Sequence, residues 1–246
     1  MTPPEITLVL LHSWGTSARE WDAVRAALET DSVALDLSGF GDAPPRLDEP
    51  TVSDYADDVL REVRDLGGFV LVGHSMGGKV AQAIAARRPE GLVGLVLVAP
   101  SPLSPEPMEP EERERLLRSH GVRAEMERTA DAVVATTLDT ETREDVIDDY
   151  LRVAPSAWRG WLEIGSREDL SELAGETETP TLVLVGESDP VMARDMLQRE
   201  VVDRIRGARL EVIPDSGHLM PLENPAALAA RLNAFSAERR RLPEVD

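Results

Sequence analysis

The sequence predicts an α/β fold built on a mostly parallel sheet, and three observations carry that expectation. Short apolar runs at residues 6–11, 32–35, 69–72, 92–99, 181–185 and 210–213 alternate with longer amphipathic stretches. Most of these runs are continuous and rich in Val and Leu, as strands buried on both faces are. The stretches between them carry helix signals, giving the β-α-β-α order of a sheet covered by helices on both faces, with right-handed crossovers. At 246 residues, 42% hydrophobic and 29% charged, the chain has the size and balance of one globular domain with an insertion, not of a disordered or collagen-like polymer.

Taken in order, the first strand is followed by a predicted helix over 17–28, with Ser17 as N-cap and Glu20 three residues on as a capping box. The stretch 53–66 sets Tyr55, Val59 and Val63 along one helical face. The Ala-rich stretch 75–88 stops before Pro89. Residues 100–110 then hold five prolines, which marks a boundary rather than an element. From about 111 to 166 the pattern is purely helical, with Leu116, Met126, Val146, Tyr150, Trp158 and Trp161 among its apolar members. This reads as a cap laid over the carboxyl ends of the strands, where ligands of open α/β sheets bind. The expected division is a core from 1–104 and 171–246, with the cap at 105–170. Helices over 191–205 and 225–239 follow the last two strands, and 239–246 is expected to be a frayed end. The six apolar runs give an expected sheet of about six strands.

Composition narrows the chemistry. There is no Cys, which excludes disulfides, thiolate metal sites and a Cys nucleophile. Asp and Glu number 46 against 26 Lys and Arg, a formal net charge of -20, and Lys79 is the only lysine. A field of that sign repels nucleic acid and anionic lipid, so neither is expected as a partner. The opening Met1-Thr2-Pro3-Pro4-Glu5 lacks the basic segment of an export signal, and no apolar stretch approaches the roughly 20 residues of a membrane span. A cytoplasmic protein is the expectation.

Gly73-His74-Ser75-Met76-Gly77 follows a predicted strand and opens a predicted helix. At so sharp a turn, small residues two before and two after the Ser relieve a clash, and the hydroxyl projects above the sheet. The helix N-terminus would place the Met76 N–H where an oxyanion forms. A Ser hydroxyl needs a base at neutral pH. Of the four histidines, His120 lies in a charged stretch and reads as solvated; His74 adjoins the Ser and should point away from it; His12 ends the first strand. His218, in Asp215-Ser216-Gly217-His218 directly after a strand, is the candidate base. The base needs a carboxylate to fix its tautomer. Asp189, after the neighbouring strand, is favoured over Glu187 and Asp215. A second oxyanion amide would come from His12-Ser13-Trp14-Gly15, with Trp14 supplying the N–H and walling the pocket.

These segments, with Asp36-Leu37-Ser38-Gly39-Phe40-Gly41, together resemble the serine-dependent α/β-hydrolase superfamily with a helical cap, and the resemblance covers almost the whole sheet. It implies Ser75 as nucleophile, Asp189 as acid and His218 as base. It also implies an oxyanion hole from Trp14 and Met76 and an acyl-enzyme cleaved by water without metal or organic cofactor. The chain departs from the family at Ser13, where members usually carry Gly, and before Ile6, where only five residues stand and the early strands of many members are expected to be missing. The expected function is hydrolysis of a small or medium ester, thioester or related acyl compound. Carbon–carbon bond hydrolysis, a lyase reaction, cofactor-free perhydrolysis and a non-catalytic ligand-binding protein are the alternatives on the same residues. A Ser at the nucleophile position disfavours chemistry that relies on an attacking carboxylate. Trp14, His74, Trp158 and Trp161 are candidate pocket residues, with Met126 and Leu138 as further apolar candidates, and Lys79 is expected to face outward. The acidic balance disfavours strongly anionic substrates unless Arg lines the entrance.

Overall fold

The structure, a computed structural model, describes residues 6–240. Six parallel strands form one sheet: β1 (Ile6–Leu11), β2 (Ser32–Leu35), β3 (Gly68–His74), β4 (Leu92–Val98), β5 (Thr181–Gly186) and β6 (Arg209–Ile213), in the order β2-β1-β3-β4-β5-β6. The four middle strands are almost wholly buried, which explains their continuous apolar composition. The expected fold class and strand number hold.

Helices α1 (Asp22–Arg25), α2 (Val52–Val63), α3 (Met76–Ala86), α8 (Arg194–Glu200), α9 (Met220–Glu223) and α10 (Pro225–Arg240) surround the sheet. Between β4 and β5 run α4 (Pro110–Ser119), α5 (Arg123–Ala132), α6 (Thr140–Arg152) and α7 (Pro155–Arg159), followed by a single π turn, Gly160–Ile164. Thr51 caps α2 through a reciprocal bond pair with Asp54. The expected helix over 17–28 is instead a 3₁₀ turn, Ala18–Trp21, running into the short α1. Ser17 does cap it, but Glu20 forms no capping box, because its carboxylate turns into the core. The expected fraying at 239–246 falls mostly outside the described residues, and Arg239 and Arg240 end α10 in helical conformation.

Helix α3 packs so tightly on the sheet that backbone meets backbone. A Cβ on Gly77 would lie 2.6 Å from the His12 carbonyl oxygen and 2.7 Å from that of Leu11; one on Gly73 would lie 2.3 Å from the Gly77 oxygen. Gly77→Ala should therefore destabilise the protein by about 1–3 kcal/mol, read as a lowered urea midpoint. Gly175→Ala, where a Cβ meets nothing within 4 Å, should leave that midpoint nearly unchanged.

Candidate active site

Ser75 sits between β3 and α3 at φ 49° and ψ -114°, a region that L-residues rarely adopt. Such a conformation costs on the order of 1–3 kcal/mol and persists only where the surroundings impose it. Here the Ser75 N–H donates to the Val98 carbonyl (3.0 Å), and its own carbonyl accepts from Gly78 (2.9 Å) and Ser101 (3.0 Å). The hydroxyl is thereby held at the carboxyl edge of the sheet, 3.0 Å from His218 Nε2. His218 Nδ1 lies 3.0 Å from Asp189 Oδ2. The other Asp189 oxygen accepts the N–H groups of Val191 (2.8 Å) and Met192 (2.9 Å). Burial works against the charged carboxylate, but the His218 contact and these two amides outweigh it and hold Asp189 below the usual carboxylate range. Glu187 instead faces the Asp215 N–H, so neither rival acid meets the imidazole.

The loop carrying His218 is fixed from two sides. Its backbone N–H donates to Val133 of α5's trailing loop (3.1 Å). A single Glu223 oxygen accepts from Gly217, Ala135 and Thr136, tying this loop to the α5–α6 connection. Trp14 lies in the loop after β1 and Met76 opens α3, and among the described residues neither N–H is engaged by an acceptor. Ser13 is accommodated because its N–H and hydroxyl both bind Glu20, at 3.2 and 3.0 Å.

Two of the four pocket candidates line the cavity and two do not. Trp14 and Trp161 face a cavity of about 350 Å³ that also contacts Ser75, His218, Tyr150 and Met192. That volume suits a small organic ligand. Trp161 belongs to the π turn, a feature often found at functional sites. Trp158 instead stands behind Trp14 (ring centroids 4.2 Å apart), with its indole N–H spent on the Leu116 carbonyl. Met126 is packed inside the insertion, and Leu138 lines a separate depression. Lys79, expected outside, is fully buried and donates to the Glu168 (2.7 Å) and Ser104 (3.3 Å) carbonyls, which the two ends of the insertion bring over α3. Burial pushes its pKa down to about 8. His120 is half-buried rather than solvated, bonded to the Val153 carbonyl (2.8 Å).

His74 is also outside the cavity. Its Nδ1 lies 3.0 Å from Glu20 and its Nε2 lies 2.8 Å from the His218 carbonyl oxygen. Both partners are acceptors, so both ring nitrogens donate and the ring is an imidazolium. Glu20 also accepts from Ser13 and Thr16, as a carboxylate does. Burial opposes both charges, yet their mutual contact holds Glu20 below and His74 above the ordinary ranges. His12 is the contrast: Nε2 accepts from the Leu37 N–H (3.0 Å), Nδ1 faces the Ser13 carbonyl, and burial lowers its pKa.

The family model of the alpha/beta hydrolase family matches residues 8–231, and the chain belongs to that family; it is a hydrolase of the α/β-hydrolase type. The chain is 31% identical over 203 residues to the pimeloyl-[acyl-carrier protein] methyl ester esterase of Citrobacter koseri, covering 77% of this chain and 78% of that one. It is 26% identical to the biotin biosynthesis bifunctional protein BioHC of Teredinibacter turnerae, covering 95% of this chain but spanning only 45% of that protein's length. Among solved structures, a thermophilic esterase from Thermogutta terrifontis superposes with a TM-score of 0.81 at 27% identity, covering 97% of this chain and 92% of that one. Among the described residues no helix is long and apolar enough to cross a membrane.

The Glu20–His74 pair makes a signed prediction. His74 binds its proton more tightly folded than unfolded, so its stabilisation is fully present below pH 6.5 and is lost as pH rises through the raised value. The stability advantage of the wild type over His74→Gln should therefore be largest between about pH 5 and 6.5 and shrink above it, as read by urea melts across pH.

Proposed function

We propose that the protein is a serine-dependent ester hydrolase acting on a small or medium acyl ester or thioester. The observation that carries this reading is the unbroken chain from Ser75 Oγ to His218 Nε2 and from His218 Nδ1 to Asp189, with 3.0 Å at each link. Ser75 attacks the acyl carbon while His218 takes the hydroxyl proton. Asp189, ionised and fixed by two amides, keeps the proton on Nδ1 and stabilises the imidazolium. The Trp14 and Met76 N–H groups receive the negative charge that develops on the carbonyl oxygen. His218 then protonates the leaving alcohol or thiol, giving an acyl-enzyme on Ser75. Water, deprotonated by the same imidazole, releases the acid and regenerates the hydroxyl.

The segment from 105 to 170 serves as the cap, with Trp161, Leu116 and Tyr150 forming the apolar wall over the nucleophile. His74 and Glu20 act as positioning residues, because the His74 Nε2–H holds the carbonyl of His218 itself. Relatives named as methyl ester and other esterases support an ester as substrate.

Ser75→Ala and Asp189→Asn should each lower kcat/KM on a chromogenic butyrate ester by roughly 10⁴-fold or more. A fluorophosphonate probe should label the wild type and not Ser75→Ala. A Ser75→Ala variant with full turnover would remove the acyl-enzyme mechanism, and a wild type that resists the probe would indicate a binding protein.

A further inference from the structure

Glu106 shares the cavity with Ser75 and His218, and the Ser101 hydroxyl is the hydrogen-bond donor beside its carboxyl. Glu106 Oε2 is buried, as is the Ser101 hydroxyl, and among the described residues no bond of good geometry joins either to a further group. Leaving such an oxygen without a donor costs about 1–3 kcal/mol, more if it is charged. Buried polar groups of native proteins are nearly always satisfied, and those that are not tend to be places where something else binds. The segment that carries Glu106 is itself firmly placed. Its backbone N–H donates to the Ser166 carbonyl (2.8 Å), and the buried Lys79 ammonium pins Ser104 and Glu168 on either side of the insertion.

Away from the oxyanion amides, the rest of the cavity lining offers an acyl carboxylate no unpaired guanidinium. Glu109 and Glu112 also line it, and the one lining guanidinium, Arg115, is spent. Arg115 grips Glu112 with two nitrogens (2.6 and 2.8 Å), Glu125 at 2.7 Å and the Thr129 hydroxyl at 3.3 Å. Lys79 faces backbone carbonyls, and Arg113 faces Leu162 and Ser166. Among the described residues, then, the cavity offers a carboxyl acceptor and an excess of acid, and its lining guanidinium is already paired.

We propose that Glu106 is a specificity-determining residue that accepts a hydrogen bond from a hydroxyl or amino substituent on the acyl chain and rejects acyl chains bearing a carboxylate. The substrate class is thus an uncharged or cationic, donor-bearing acyl ester. This inference rests on the ester-hydrolase reading and adds its substrate class. Burial raises the carboxyl's pKa, while His218, Lys79, Arg113 and the Ser101 hydroxyl pull the other way.

The test compares aryl esters of butyric, 3-hydroxybutyric and succinic acids on the wild type, Glu106→Gln and Glu106→Leu, with Ser75→Ala as blank and fluorophosphonate labelling as a check on the nucleophile. The wild type should favour the hydroxy ester over the butyrate by at least 10-fold in kcat/KM and disfavour the succinate by at least 10-fold. Glu106→Gln, which keeps shape and an acceptor oxygen, should retain preference for the hydroxy ester and relieve the succinate penalty. Glu106→Leu should lose the hydroxyl preference. An unchanged ranking of the three esters in both variants, with labelling of Ser75 intact, overturns the role of Glu106 and leaves the hydrolase reading standing. Absence of both labelling and turnover in the wild type overturns both.

Discussion

Helix α3 touches β1 backbone to backbone, and the geometry of the site follows from that contact. A parallel sheet brings all its strand carboxyl ends to one edge, but it does not by itself lift a side chain clear of the loops around it. At Ser75 the chain must leave β3 and enter α3 within one residue, which forces the φ of 49°. The turn fits only because Gly73, Gly77 and Gly78 bring no Cβ to places where carbonyl oxygens and Pro100 stand. Strain at one residue is thus set against the packing of a whole helix on the sheet. Asp189 and His218 sit on the loops after β5 and β6, whose parallel pairing makes those loops neighbours, and the same close approach recurs there: a Cβ on Gly186 would lie 2.3 Å from the Gly217 oxygen, and Asp215 has φ 51°.

Three buried histidines of one chemical type hold different proton inventories because their partners differ. His12 faces one donor and one acceptor and is neutral. His74 faces two acceptors and is charged. His218 lies between a carboxylate and a hydroxyl that can give its proton away, the arrangement in which an imidazole can change state during a reaction. The Glu20–His74 ion pair lies directly beneath the backbone of His218, so its burial cost is set against the placement of a loop rather than added stability. Buried pairs seldom gain much over an apolar substitute, and holding a carbonyl in position is a use that an apolar pair could not serve.

Strands were legible in the sequence because burial on both faces leaves little choice but Val, Leu, Ile and Gly. The meeting of Ser75, Asp189 and His218 was legible because each sits in the turn or loop that follows such a strand. Glu20 was misread because Ser17 and Glu20 have capping-box spacing, and nothing local reveals that His74, 54 residues away, draws the carboxylate inward. Lys79 was misread for the same reason: a lysine on a helix is ordinarily solvated, and its burial depends on where residues 104 and 168 return from the insertion. Trp158 and Trp161 are three residues apart, and the π turn that begins at Gly160 separates them into one packing and one cavity-facing ring. Glu106 sat in a proline-rich run that reads only as a boundary.

The net charge, silent about function as a bare count, acquires meaning once placed. With 46 acids and 26 basic side chains, several guanidiniums here are engaged by more than one carboxylate, as Arg19, Arg46, Arg115 and Arg123 are. On an open surface such pairs are worth little and water screens what remains. Inside the cavity the same shortage has a different weight, because screening fades and field lines concentrate in a cleft with low-dielectric walls. An arginine that could have met an anionic acyl chain is there, at position 115, but Glu112 and Glu125 have already neutralised it. An excess of acid spread over the whole molecule thus becomes, at the one place where a ligand is enclosed, a rule about which ligands can enter.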